Sequence, residues 1–155
     1  MIKVLFVCLG NICRSPMAEG VFQHMVNQAG LSDQILVDSA GTARYHEGEP
    51  AHNGTRRILA QHNIPYNSRA RTVVRDDFYN FDYILAMDSD NLATMESRRP
   101  ADASPMIKLF LEYADGVSDQ EVPDPYYNGK FEEVYHLVEN ASRGLLTAIR
   151  KEHHL

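Results

Sequence analysis

The 155-residue chain contains only two cysteines, Cys8 and Cys13, five positions apart near one end. A disulfide between them would close too short a loop to staple a fold. A disulfide scaffold is therefore excluded, and the two thiols read as chemical. Long apolar runs are missing as well, since none approaches the ~18 residues that a membrane span needs. The one stretch that resembles a leader, Val4 to Leu9 after Lys3, is broken by Gly10, Asn11, Cys13 and Arg14. No small-residue cleavage site follows it, so a cytoplasmic protein is expected. Positive charge is scarce: 15 Lys plus Arg face 21 Asp plus Glu, a net charge of −6. That balance argues against non-specific nucleic-acid binding. An anionic ligand would need a site with its own local positive potential. Repeats, low-complexity tracts and charge blocks are absent too.

What remains is an ordinary globular composition, 44% hydrophobic and 23% charged, long enough for one domain over residues 1–155 with a real core. The run Lys3 to Val7 reads as a buried strand. After a turn-prone stretch, Ser15-Pro16 reads as an N-cap with proline at the first helical position. Met17, Ala18, Val21, Phe22, Met25 and Val26 then recur at helical spacing up to Gly30, a C-terminal stop. Glu19 stands one residue late for a capping box. A second strand is read at Ile35–Val37, a helix at about Ala51–His62, and a third strand at Asp82–Met87 with a short helix on either side. A fourth strand falls at Met106–Phe110, and a closing helix at Phe131–Lys151 carries Val134, Leu137, Val138, Ala141, Leu145 and Ile149 on one face. Strands alternating with helices imply an α/β fold, a parallel sheet covered on both faces. The long loops Gly41–Pro50 and Asp115–Gly129 are candidates for function.

Ligands of such sheets sit at the carboxyl ends of strands, and Cys8 stands at such an end. From there the chain reads Cys-Leu-Gly-Asn-Ile-Cys-Arg-Ser, a C-x5-R-S pattern between strand and helix. A turn here aims successive backbone N–H groups at one point, and the helix adds its positive dipole end. Gly10 can take positive φ and Asn11 tolerates it. Arg14 offers a planar fork for two phosphate oxygens. The nest favours the thiolate of Cys8, poised to attack phosphorus, and Ser15 could donate a hydrogen bond to the sulfur and help it leave. The pattern is neither a Walker A loop nor a dinucleotide fingerprint. Two cysteines without a histidine pair at usable spacing make a poor zinc set. The seven histidines show no ligand spacing; His153 and His154 read as a frayed tail, and His52 as a surface residue.

A leaving group needs a proton, and Asp124, stiffened by Pro123 and Pro125, is the candidate acid and later base. Tyr126 and Tyr127 beside it are candidates for the mouth of the site. The basic stretch Arg69, Arg71 and Arg75 reads as a solvated face with local ion pairs.

The segment Val7 to Glu19 resembles the phosphate-binding loop of the low-molecular-weight protein tyrosine phosphatases. The likeness continues in Asp38-Ser39-Ala40-Gly41-Thr42, in Phe81 to Asp88 and in Asp124-Pro125-Tyr126-Tyr127, nearly the whole chain in order. The resemblance implies a four-stranded parallel sheet and a two-step reaction without cofactor or metal. Cys8 would attack phosphotyrosine, with Arg14 and the amides of Leu9, Gly10, Asn11, Ile12 and Cys13 holding the phosphoryl oxygens. Asp124 would protonate the tyrosine oxygen and then activate water. It also implies an Asn11–Ser39 hydrogen bond that shapes the loop, and a reversible disulfide between Cys13 and the nucleophile. Tyr45 stands where many members have Trp or Leu, an aromatic surface for the substrate ring. Some relatives carry a histidine where this chain reads Asn67 to Arg71, so that support for the loop network is not carried over.

Arsenate reductases share this fold and loop, but the thioredoxin-coupled kind needs further cysteines that this chain lacks. A silent phosphotyrosine binder would be expected to lose Cys8, Arg14 or Asp124, and all three are present. The implied partner is a phosphotyrosine-bearing protein; for a bacterial source, family analogy points to a tyrosine kinase controlling surface polysaccharide. The sequence leaves the oligomeric state open.

Overall fold

Along the first strand, β1 (Ile2–Cys8), successive side chains enter two different cores. Val4, Phe6 and Cys8 join a cluster of 29 buried residues, while Leu5 and Val7 join a smaller one of eight. This is the period-two alternation of a strand covered on both faces, which reads in sequence as one unbroken apolar run. A computed structural model describes residues 1–155. The chain continues through α1 (Arg14–Gln28), β2 (Ile35–Gly41), α2 (Asn53–Gln61), α3 (Asp77–Asn80), β3 (Tyr83–Ala86), α4 (Ser89–Arg98) and β4 (Met106–Leu109). A 3₁₀ turn (Phe110–Tyr113) follows, then α5 (Pro125–Asn128) and the long α6 (Phe131–His153).

All strand pairs are parallel, in the order β2-β1-β3-β4, so the expected single-domain, four-stranded parallel α/β sheet is present. Helices α1, α2 and α6 bury their apolar stripes on the larger core, and Phe78 of α3 and Met95 of α4 on the smaller. Phe6 is fully buried, with Phe22 and Phe110 edge-on at centroid distances of 5.7 and 4.9 Å. Burial of a ring of that size contributes ~2–3 kcal/mol. No helix is long and apolar enough to cross a membrane.

Several expectations move. Strand β2 runs on from Val37 through Asp38 and Ser39 to Gly41, pairing Leu5 with Asp38 and Cys8 with Gly41. An apolar run marks only the part of a strand that lies in the core. Helix α1 starts at Arg14 with Cys13 as N-cap, not at Pro16 with Ser15 as N-cap, and the Ser15 hydroxyl is engaged with Asn11 and Cys8 instead. The last helix reaches His153, whose Nε2 lies 3.0 Å from the Tyr83 hydroxyl, so this residue is anchored rather than frayed. His52 is half-buried: its Nδ1 accepts from Gly54 N–H to cap α2, and its ring stacks on Phe131.

Candidate active site

The loop between β1 and α1 lies at the carboxyl edge of the central strands. Its backbone accounting is unusual. The carbonyls of Cys8, Leu9, Ile12 and Cys13 accept from Thr42, Ala43, His52 and Met17, yet no N–H of residues 9–15 donates a hydrogen bond within the chain. Buried amide donors are paired almost everywhere in folded proteins, so open donors on the buried residues Asn11 to Ser15 are available to an acceptor from outside the chain. Asn11 stands at φ 58 between neighbours of negative φ, an alternation that can turn successive N–H groups toward one side. Gly10 does not take positive φ. A side chain there would still need room: a Cβ would lie 2.9 Å from Cδ2 of His46, so that ring would have to shift. On the other side Gly41 lets β2 come close, since a Cβ would meet the Leu9 carbonyl oxygen at 2.8 Å.

Polar side chains hold the loop from below. Asn11 Oδ1 accepts from the Arg71 N–H at 3.0 Å, so its amide nitrogen must face the other way. It donates to Ser15 Oγ at 2.8 Å and to Ser39 Oγ at 2.9 Å. Ser15 Oγ in turn lies 3.0 Å from Cys8 Sγ. Arg71 itself bridges Asp38 and Asp77, so within the basic stretch it is a structural ion-pair centre.

The guanidinium of Arg14, 4% exposed, is clamped by Asp88 at 2.7 Å and the Val122 carbonyl at 3.1 Å, with Asp124 at 3.5 Å. Burial opposes its charge, but Cys8, Asp88 and Asp124 outweigh that and hold its pKa above the ordinary arginine value. Asp124 is the N-cap of α5. Its Oδ1 accepts from the Tyr126 N–H while Oδ2 faces Arg14. Cys13 is buried, and its thiol is pushed up to about 12 by that burial and then by the charges of Cys8 and Asp124. Both thiols are free. One residue thus carries a neutral thiol beside another that lies against open amides and a guanidinium.

A cavity of about 230 Å³ opens above Cys8, with Leu9, Gly10, Ile12, Cys13 and Arg14 at its base. Asp124 and the rings of Tyr45, His46, Tyr126 and Tyr127 form its walls. Tyr45 and Tyr127 are strongly exposed, at 76% and 78%. The structure therefore gathers Cys8, Leu9, Gly10, Ile12, Cys13, Arg14, Tyr45, Asp124, Tyr126 and Tyr127 around one cavity. Asn11, Ser15 and Ser39 lie beneath it as supports.

Sequence reasoning assigned no role to His46 or Asp88. His46 Nδ1 donates to Glu49, and its ring lies 5.9 Å from that of Tyr126. Asp88 follows the carboxyl end of β3, the neighbour of β1, and the strand-end rule that marks Cys8 also marks it. Glu19 caps no backbone group of α1; its carboxylate faces Ser39 and Tyr66, residues far away in sequence.

A cysteine at a strand end, a loop of open amides and a buried guanidinium thus share one cavity of an α/β fold. Comparison with known proteins identifies the class. A model of the family described as low molecular weight phosphotyrosine protein phosphatase matches residues 3–155. The low molecular weight protein-tyrosine-phosphatase YfkJ of Bacillus subtilis is 45% identical over 156 residues, covering 100% of both chains. The crystal structure of YfkJ matches with a TM-score of 0.94 over 98% of this chain and 96% of that one. A protein tyrosine phosphatase from Entamoeba histolytica, solved with Hepes in its active site, matches at 0.93 and 38% identity over 98% and 99%. A drosophila arginine phosphatase matches at 0.90 and 34% identity over 96% and 98%. The chain belongs to the low-molecular-weight phosphotyrosine protein phosphatase family and is an enzyme of that class.

Proposed function

We propose that this enzyme hydrolyses phosphotyrosine in proteins, and small aryl phosphates, through a phosphocysteine on Cys8, as one catalytic domain over residues 1–155. The observation that carries the reading is the set of seven N–H groups without a partner in the chain, Leu9 to Ser15, on the loop that joins Cys8 to the buried Arg14. That set offers donors to the equatorial oxygens of a phosphoryl group in transfer, where charge is spread and positioning does most of the work. The Cys8 thiolate attacks phosphorus, the P–O bond to tyrosine breaks, and the Asp124 carboxyl gives its proton to the departing oxygen. Water then attacks, Asp124 takes a proton from it, and the P–S bond breaks with Ser15 donating to the leaving sulfur. Tyr45, Tyr126 and Tyr127 offer aromatic walls to the substrate ring.

Oxidation of Cys8 gives Cys13 a second use. Peroxide takes the Cys8 thiolate to a sulfenic acid, the Cys13 sulfur attacks that sulfur with loss of water, and the disulfide so formed is reopened by a thiol reductant. The working compartment is the cytoplasm, and the partner is a phosphotyrosine-bearing protein, in a bacterium a tyrosine kinase. The test is hydrolysis of an aryl phosphate at mildly acidic pH without added metal, comparing the wild type with Cys8→Ser. Turnover that vanishes in the variant, with phosphate still bound, is the expected result. Binding without turnover in the wild type would replace the enzyme by a phosphotyrosine-binding module.

A further inference from the structure

Behind the loop, on the side away from the cavity, a chain of polar contacts continues past Ser39 to two residues that touch neither Cys8 nor Arg14. Ser39 Oγ donates to Glu19 Oε1 at 2.6 Å, and the Tyr66 hydroxyl donates to the same oxygen at 2.8 Å. Glu19 lies on α1, Ser39 on β2, and Tyr66 in the segment after α2, so three separate parts of the fold meet at one carboxylate oxygen.

The donors and acceptors leave little freedom. The Arg71 N–H can only donate, which makes Asn11 Oδ1 its acceptor and turns both protons of Asn11 Nδ2 toward Ser15 and Ser39. Each serine oxygen is then an acceptor, so each hydroxyl proton must go elsewhere. That of Ser39 goes to Glu19. That of Ser15 has Cys8 Sγ before it at 3.0 Å, and a thiolate there has no proton of its own to give. The polarity of the chain is thus held from both ends, by the Arg71 N–H that only donates and by a Glu19 oxygen that accepts two protons.

We propose that Glu19 and Tyr66 are positioning residues for the nucleophile: they fix the proton of Ser39 away from Asn11, so that Asn11 and Ser15 hold a single donor on the Cys8 sulfur. The proposal rests on the reading of Cys8 as the nucleophile. Burial raises the Glu19 carboxyl above its ordinary value, Ser39 and Tyr66 draw it back down, Asp38 raises it, and Arg71 lowers it. Tyr66 is in turn raised by burial and by Glu19, which keeps its hydroxyl a donor throughout the working range.

The test is the pH dependence of Cys8 alkylation by iodoacetamide, followed as the mass of the singly modified chain, together with aryl phosphate kinetics. It compares the wild type, Tyr66→Phe, Glu19→Gln and the double variant. Losing one donor on the chain is expected to move the alkylation midpoint of Tyr66→Phe up by about half a pH unit and to lower kcat about threefold, with KM little changed. Because Tyr66 acts through Glu19, the double variant is expected to match Glu19→Gln alone. A variant set with wild-type alkylation midpoints and lower thermal stability alone would overturn the proposal, and so would additive losses in the double variant. Tyr66→Phe removes a single oxygen from a half-buried ring and leaves its packing in place. Alkylation needs no turnover. A wild type that alkylates normally yet hydrolyses nothing would therefore refute the phosphatase reading and not this one.

Discussion

Replacing Asn11 by alanine should unlock the phosphate loop, and the size of the effect follows from what this side chain holds. Asn11 is almost fully buried and makes three hydrogen bonds: from Arg71 N–H, to Ser15 and to Ser39. Each contributes ~1 kcal/mol net, and the buried serines left behind keep part of their desolvation cost. Its φ of 58 adds about 1 kcal/mol for any side chain that does not tolerate the left-handed region as asparagine does. A loss of about 4 kcal/mol results, a large share of the ~5–15 kcal/mol that a domain commands. With a urea slope of ~2 kcal/mol/M, the unfolding midpoint should fall by about 2 M. Asn11→Gly separates the two causes, because it relieves the backbone and is expected to recover about 1 kcal/mol. Asn11→Asp keeps the shape and the bond from Arg71 but has no proton for either serine, so it should lose activity out of proportion to stability. Equilibrium unfolding in urea, read beside aryl phosphate turnover, decides the matter. A cost below ~1.5 kcal/mol for alanine, or glycine no better than alanine, would refute the reasoning that this residue holds the loop.

Asp124→Asn is expected to slow hydrolysis strongly for substrates with basic leaving groups and hardly for an activated aryl phosphate; equal losses across a leaving-group series would remove Asp124 from the acid role. Cys13→Ser should turn over normally but fail to regain activity when thiol is added after mild peroxide; unchanged recovery would dismiss the disulfide. Burial holds the Glu19 carboxyl above its ordinary value of 4.5, so the folded chain binds that proton more tightly than the unfolded one. This contribution to stability is full below 4.5 and is lost as pH rises through the raised folded value. Urea unfolding across that window should therefore show a steeper decline for the wild type than for Glu19→Gln, and parallel curves would contradict it.

Cys8, Arg14 and the helix behind them are legible in sequence because their chemistry is local: a strand, a five-residue turn and a helix N-terminus follow one another without interruption. Asp124 is legible through its flanking prolines. The supports are a different matter. Glu19, Ser39, Tyr66 and the Arg71 amide meet only because β2 packs beside β1 and the segment after α2 folds back over it. No periodicity records such a meeting. Gly10 shows the same limit in miniature, since its residue type suggests backbone freedom while its neighbour His46 is the actual constraint. Strand β2 was cut short for the opposite reason: Asp38 and Ser39 are polar on account of the loop they serve, and they still pair in the sheet.

The seven open amides also bear on how the enzyme rests. Under the proposed reaction, the product orthophosphate would meet the same amides as the phosphoryl group of a substrate. Folding and product retention then draw on the same contacts. Any ligand that occupies the loop at a hundred times its dissociation constant stabilises the native state by about 2.7 kcal/mol. A resting molecule in a phosphate-rich medium is accordingly a filled one. Substrates must displace the anion before they react, and the ambient phosphate level sets how much of the enzyme is free to begin a cycle.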